Sequence, residues 1–169
     1  MPNWCYNTLT ITSDEKQLKQ LKQKAKRKES KNLEKSDFSL NKLYPTPKDA
    51  SWYDWNIKNW GTKWDITAYI FSPTKNKLNY SFDSAWLPPD NAIIHISKQY
   101  PKLNFTLKYE ESGCAFAGIL KVKNGIVEKN EIWNTYYCQE CGDNINSEEE
   151  TCTECQKDNP NQLFAEPYN

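Results

Sequence analysis

Histidine and arginine are nearly missing from this chain of 169 residues, which holds one of each, His95 and Arg27. A lone histidine removes most chemistry that needs an imidazole base, so an enzyme built on histidine is not expected. No stretch approaches the roughly 18 apolar residues that span a bilayer. The start, MPNWCYNTLTIT, has neither the basic opening nor the apolar run of a secretory signal. The expectation is a cytoplasmic protein with no membrane part. No internal repeat is visible, and the glycine-aromatic signature of sheet-type RNA-binding modules is absent.

The formal net charge is zero, with 22 basic and 22 acidic residues, but their distribution is uneven. Residues 1–137 hold 21 Lys and Arg against 14 Asp and Glu, whereas residues 138–169 hold 1 against 8. A basic body is followed by an acidic tail, and the two can attract each other or face different partners. Lysine-rich usage reflects genome composition as readily as a nucleic-acid site. The first helix, with Lys16, Lys19, Lys22, Lys24, Lys26, Arg27 and Lys28, reads first as a solvated face and second as a phosphate-binding one.

Six cysteines are present, and four fall in two CxxC pairs separated by ten residues: Cys138 with Cys141, and Cys152 with Cys155. A two-residue gap lets both sulfurs of a turn reach one ion, and Gly142 allows the turn that aims backbone N–H groups at them. Four thiolates leave no open coordination position, which points to one structural zinc rather than a catalytic one. A redox dithiol would not need the second pair, and an iron centre is the other alternative. A segment of about 20 residues with so little apolar content needs the ion to fold. Cys5 and Cys114 stand apart in apolar-patterned segments and read as reduced thiols.

Along the body, residues 3–11 alternate as a strand, with Cys5, Leu9 and Ile11 on one side and Trp4, Tyr6, Thr8 and Thr10 on the other. Thr12 followed by Glu15 reads as a capping box, and Leu18, Leu21 and Ala25 recur at helical spacing over roughly 14 residues. Phe38, Leu40 and Leu43 predict a strand ending at the Tyr44-Pro45-Thr46-Pro47 break. Residues 51–65, SWYDWNIKNWGTKWD, hold four tryptophans and read as a long insert without regular structure. Residues 66–71 and 78–86 predict a hairpin, and Pro88-Pro89-Asp90 opens a helix carrying Ile93, Ile96 and Tyr100. Leu103, Phe105, Leu107 and Tyr109 alternate as a strand, and two more strands flank the Asn124-Gly125 turn.

The order is therefore β, α, β, β, β, α, β, β, β. It contains two β-α-β units around a hairpin, the ferredoxin-like arrangement of an α+β fold: an antiparallel sheet with two helices on one face and the other face open. The expected organisation is a ferredoxin-like domain over residues 1–134 with a tryptophan-rich insert at 51–65, a small zinc ribbon at 135–160, and a tail at 161–169.

Four blocks carry a resemblance: MPNWCYNTLTI, WYDWNIKNWGTKWD, FDSAWLPP and LNFTLKYEESGCAFAG. In this order, and over most of residues 1–124, the chain resembles the YubB-type ferredoxin-like domain family of bacteriophage and plasmid proteins. The resemblance implies a ferredoxin-like fold, a mobile-element origin and a bacterial host cytoplasm. It implies no activity. The cysteine-rich tail is additional to those blocks.

Two readings are open for Trp52, Trp55, Trp60, Trp64 and Trp86. They pin the insert to the sheet, each burying on the order of 150–250 Å², or they line a pocket for a planar ligand. The second reading makes Lys63 and Asp65 polar readers and turns backbone N–H groups near Gly61 toward an anion. With the first strand and the 109–118 segment added, the candidate ligand set is Trp4, Tyr6, Asn7, Trp55, Trp60, Gly61, Lys63, Trp64, Asp65, Trp86, Tyr109 and Glu111. Asp65, Asp83, Glu110 and Glu111 can serve as a carboxylate pair or hold a divalent ion only if folding brings them together. His95 reads as a helix-surface residue, and Cys114 as a small buried one.

The expected function is non-enzymatic: a phage or plasmid protein that binds a small ligand or a host protein, such as a component of host defence or its nucleotide signal, with one structural zinc. A nucleic-acid-binding module using the basic helix and the zinc knuckle is the alternative. A small metal-dependent enzyme using carboxylates is a further one.

Overall fold

The alternation of residues 4–12 makes a strand with one dry side, and the computed structural model of the chain, which describes residues 3–137, 141, 144 and 145, builds its sheet around it. Strand β1 (Trp4–Thr12) buries Cys5, Asn7, Leu9 and Ile11 and turns Trp4, Tyr6, Thr8 and Thr10 the other way. The strands that follow are β2 (Tyr69–Thr74), β3 (Lys77–Ala85), β4 (Asn104–Glu111), β5 (Phe116–Lys123) and β6 (Ile126–Asn134). They lie in the order β2-β3-β1-β4-β5-β6. All pairings from β2 through β5 are antiparallel. The register sets Ile70, Tyr80, Leu9, Leu107 and Leu120 in one row across five strands of the buried face.

Four helices supply the other half of that core: α1 (Glu15–Ala25), α2 (Leu40–Leu43), α3 (Trp52–Trp60) and α4 (Asp90–Gln99). Leu18 and Leu21, Leu40 and Leu43, Trp60, and Ile93 and Ile96 join one cluster with the buried sheet residues. Each such side chain withdrawn from water contributes roughly 1.5–3 kcal/mol. The fold is thus α+β and ferredoxin-like, with α1 and α4 in the expected places and two helices more than expected.

The additional helices correct two expectations. Residues 40–43 are helical because Leu40 and Leu43 lie three apart on one face, Ser39 caps the turn through Lys42 N (3.3 Å), and Asp65 Oδ1 accepts from Leu40 N at 2.7 Å. The tryptophan-rich stretch is not irregular. It forms α3, with Asn56 and Trp60 buried one turn apart, and ends at Gly61, whose φ of +86° is the left-handed conformation that closes a helix. Helix α1 is capped by Asp14, which accepts from Gln17 N at 2.9 Å, so the Thr12 capping box is not formed. Strand β2 begins at Tyr69, later than expected, because Ala68 gives both its backbone groups to the 36–37 segment: Asp37 N donates to Ala68 O (2.8 Å) and Ala68 N to Ser36 Oγ (2.9 Å). The Asn124-Gly125 turn forms as expected, with φ of +50° and +74°.

The chain divides into two compact units, Met1–Ile132 and Trp133–Asn169. In the second, β7 (Tyr136–Tyr137) and β8 (Asn144–Ile145) pair antiparallel, Tyr136 opposite Ile145. Cys138, Cys152 and Cys155 lie outside the described residues, and Cys141 is exposed. Among the described residues no group of three or more His, Cys, Asp or Glu side chains is placed to hold a metal, and no helix is long and apolar enough to cross a membrane.

Candidate functional site

The sheet face away from the helices carries a group of aromatic side chains at one end. On β1 the outward residues are Trp4 and Tyr6, and Trp4 stands opposite Ala85 at the end of β3. The loop after α3 brings Trp64 to Trp4, ring centroids 6.2 Å apart and planes tilted by 40°. Trp86, just past β3, has φ of +67°, a conformation that costs a bulky residue of order 1–3 kcal/mol. It is fixed there by a bond from Trp86 N to Asn3 O at 2.9 Å. Trp4, Trp64 and Trp86 remain 42%, 39% and 39% exposed.

Lys63 joins these rings. Its Nζ lies 4.5 Å from the Trp64 ring centroid, 5.1 Å from that of Trp86 and 5.5 Å from that of Tyr53. Each distance is within the range of a cation-π attraction. Alongside, a cleft of about 290 Å³ opens between the sheet and the 64–67 segment, lined by Trp4, Trp64 and Tyr69 with Glu34, Asp65, Asp83 and neighbouring backbone.

Two of the cleft's carboxylates differ sharply. Asp65 is fully engaged: Oδ2 accepts from Arg27 Nη1 (2.5 Å) and Ser39 Oγ (2.6 Å), and Oδ1 from the backbone N–H groups of Leu40, Asn41 and Ile66. It knots three segments together and has little capacity left for a ligand. Asp83 has no hydrogen-bond or ion-pair partner among the described residues, and burial pushes its carboxyl above the usual range. It faces Tyr6 across the β1–β3 pair, and Glu110 faces Tyr6 from the other side.

The other candidates are placed elsewhere. Trp60 is 2% exposed in the core, donates its indole N–H to Tyr44 O (2.9 Å) and meets Trp55 edge to face. Gly61 N donates to Ile57 O, and the Asp90 carboxylate stands over Gly61, so this turn presents no anion site. Asn7 is buried between Phe82 and Tyr109 on the helix side of the sheet, with Nδ2 donating to Cys5 O (2.7 Å) and Ser84 Oγ (2.9 Å). Tyr109 is buried over Gly118. Glu111 is buried too and ties the β4–β5 loop by accepting from Gly113 N (2.9 Å) and Cys114 N (2.5 Å).

The sequence set therefore splits. Folding gathers Trp4, Tyr6, Lys63, Trp64 and Trp86 on one surface and spends Asn7, Trp55, Trp60, Gly61, Asp65, Tyr109 and Glu111 on structure. Tyr53, Tyr69 and Glu34 were missed; the outward alternation of β2 was the signal for Tyr69.

Catalytic chemistry finds little support in the geometry. Asp83 and Glu110 flank β1 from its two neighbours, so strand spacing separates their backbones by roughly 10 Å. Asp65 and Glu111 are tied to separate loops. His95 is not on an open helix surface: its ring stacks on Tyr44 with centroids 3.5 Å apart, and burial followed by Lys98 lowers its pKa. Cys5 is buried, its thiol pushed up to about 12 chiefly by desolvation. Cys114 is exposed, against the expectation of burial, and its hydrogen bond to Glu111 raises its pKa.

A six-strand antiparallel sheet with one face covered by helices and one end rich in exposed rings defines a ferredoxin-like α+β protein without an evident catalytic centre among the described residues. The family model described as "Ferredoxin-like domain in Api92-like protein" matches residues 59–156, more than half of the chain, and the chain belongs to that family. The match takes in all four tail cysteines. Among solved structures, the chain is similar to the crystal structure of a protein api92 from Yersinia pseudotuberculosis, with 9% identity and a TM-score of 0.62 over 80% of this chain and 99% of that one. At that identity the likeness is one of fold. No curated protein matches the chain.

Proposed function

We propose that the protein is a non-enzymatic binding protein that uses the aromatic end of its open sheet to hold a ligand or partner. The observation that carries this reading is the convergence of Trp4, Trp64 and Trp86, from three distant segments, as half-exposed rings beside a cleft. Large rings left in water forgo burial, and Trp86 adds backbone strain; a partner surface offsets both. Origin from a phage or plasmid, with action against a host defence component or its signal, is the biological setting that the four sequence blocks suggest.

The same proposal includes one structural zinc on Cys138, Cys141, Cys152 and Cys155. In support, the β7–β8 pair brackets Cys138 and Cys141, as the arms of a knuckle would. Phosphate binding on the sheet is disfavoured. The outward positions of β3 nearest Tyr6 are Ser81 and Asp83, which carry no ring, the outward rings Tyr69 and Phe71 lie one strand further away on β2, and the Asp83 carboxylate repels anions beside Tyr6.

Tryptophan fluorescence titrations test the reading, with nucleotides, amino-acid amides and charged peptides as ligands, on wild type and a Trp4→Ala/Trp64→Ala variant shown by circular dichroism to fold. At least one ligand should bind wild type and fail with the variant. Binding by none, or equal binding by both proteins, sinks the proposal.

A further inference from the structure

Resting on that binding reading, we infer that the cleft between Trp4, Trp64 and Tyr69 takes a cationic side chain, a guanidinium or ammonium group presented by a basic segment of a partner protein. Size sets the first limit. At about 290 Å³ the cleft lies at the low end of the roughly 300–1,000 Å³ of small-molecule sites. It suits one inserted side chain better than a dinucleotide.

Charge sets the second. Of the three carboxylates at the cleft, Asp65 is compensated by Arg27, whereas Asp83 is unpaired among the described residues and Glu34 has no ion pair there. Asp83 and Glu34 are exposed carboxylates at the cleft with no ion pair among the described residues, and each is free to accept a charge-assisted bond from a cation. An anionic ligand would meet like charge there.

The rings set the third. Indole and phenol faces attract cations, and Trp64 already does so within this molecule, where Lys63 sits 4.5 Å from its centroid. Lys63 is not among the residues lining the cleft, and no ion pair joins it to Asp83 among the described residues. Rings beside an open carboxylate are complementary to a group that is flat or apolar at its flanks and positive at its tip. Arginine and lysine side chains both have that form.

The test is calorimetric titration of the full chain with an octapeptide of serine and glycine bearing two arginines, and with the same peptide carrying norleucine or glutamate instead. Asp83→Asn, Trp4→Ala and Trp64→Ala variants follow, each checked for its fold. The arginine peptide should bind, the other two should not, and Asp83→Asn should weaken binding at least about tenfold, the scale of one lost charge-assisted bond. Binding that is insensitive to Asp83→Asn overturns the inference, as does absence of binding at low salt. If a nucleotide or neutral ligand instead binds in a manner that needs Trp4 and Trp64, the cation inference fails while the binding reading stands. If no ligand depends on those rings, both fall.

Discussion

Arg27 Nη1 lies 2.5 Å from Asp65 Oδ2, and the pair joins segments 38 residues apart. The guanidinium also donates to Glu34 O (3.0 Å), Ile66 O (3.2 Å) and Thr67 Oγ1 (3.0 Å). The only arginine of the chain is therefore a structural tie, holding the 28–35 loop against the segment that leads into β2. Removing one partner leaves the other buried, with side chains only 9% and 17% exposed. Arg27→Ala should cost about 3 kcal/mol in urea unfolding. Arg27→Lys should recover less than half, because an ammonium cannot reach four acceptors in a plane.

The tryptophans should separate into two classes by stability. Trp60→Ala empties a core site and is expected to cost about 3–5 kcal/mol, whereas Trp4→Ala, with the ring 42% exposed, should cost under about 1 kcal/mol. Thermal unfolding of both variants measures the difference. Similar losses would show that Trp4 is a packing residue.

Gly61→Ala meets two obstacles. Its φ is +86°, and an added Cβ would lie 2.6 Å from Asp90 Oδ1 and 3.0 Å from Pro88 O. The variant should lose more than about 1 kcal/mol, and paired Asp90→Ala should recover part of that loss by removing the nearer obstacle. Denaturant midpoints of the single and double variants decide the point.

Cys5 supplies a pH dependence. Its folded pKa of about 12 stands above the ordinary 9.0, so above pH 9 the unfolded chain gives up this proton while the folded chain keeps it. The contribution is whole below pH 9 and is lost as pH rises from 9 toward 12. Stability should therefore fall by up to about 1.4 kcal/mol per pH unit more steeply in wild type than in Cys5→Ala between pH 9.5 and 10.5. Unfolding curves at those two pH values should show the unequal slopes. Native alkylation followed by peptide mapping should label exposed Cys114 and leave Cys5 intact.

The proposed zinc predicts metal content. Purified protein should carry one zinc per chain, released by a mercurial thiol reagent, and Cys138→Ala/Cys152→Ala should carry none while the ferredoxin-like unit keeps its circular dichroism and unfolding midpoint. A tail that protects its amides from exchange without metal would contradict the proposal.

Much of the fold was written in local pattern. The alternation through β1 and β4, the Asn124-Gly125 turn and the Leu18-Leu21-Ala25 stripe each specify an element within one or two turns of chain, and their order is enough for a ferredoxin-like sheet. Local pattern misled at Phe38-Leu40-Leu43 and in the tryptophan stretch, where short apolar runs fit strand, helix or loop alike. Distant groups decided them: Asp65 supplies acceptors to the start of α2, and the core takes Trp60.

The division between core and surface tryptophans was not in the sequence at all. Trp60 and Trp64 are four residues apart in the same stretch, yet Gly61 ends α3 between them, and one ring turns inward while the other reaches the open face. The proximity of Trp4, Trp64 and Trp86 and the isolation of Asp83 depend on the register of β1 with β3 and on the path of the loop after α3. Residue types and periods determined which elements form; only the packing of distant segments decided which side chains are consumed in holding them together and which remain for a partner.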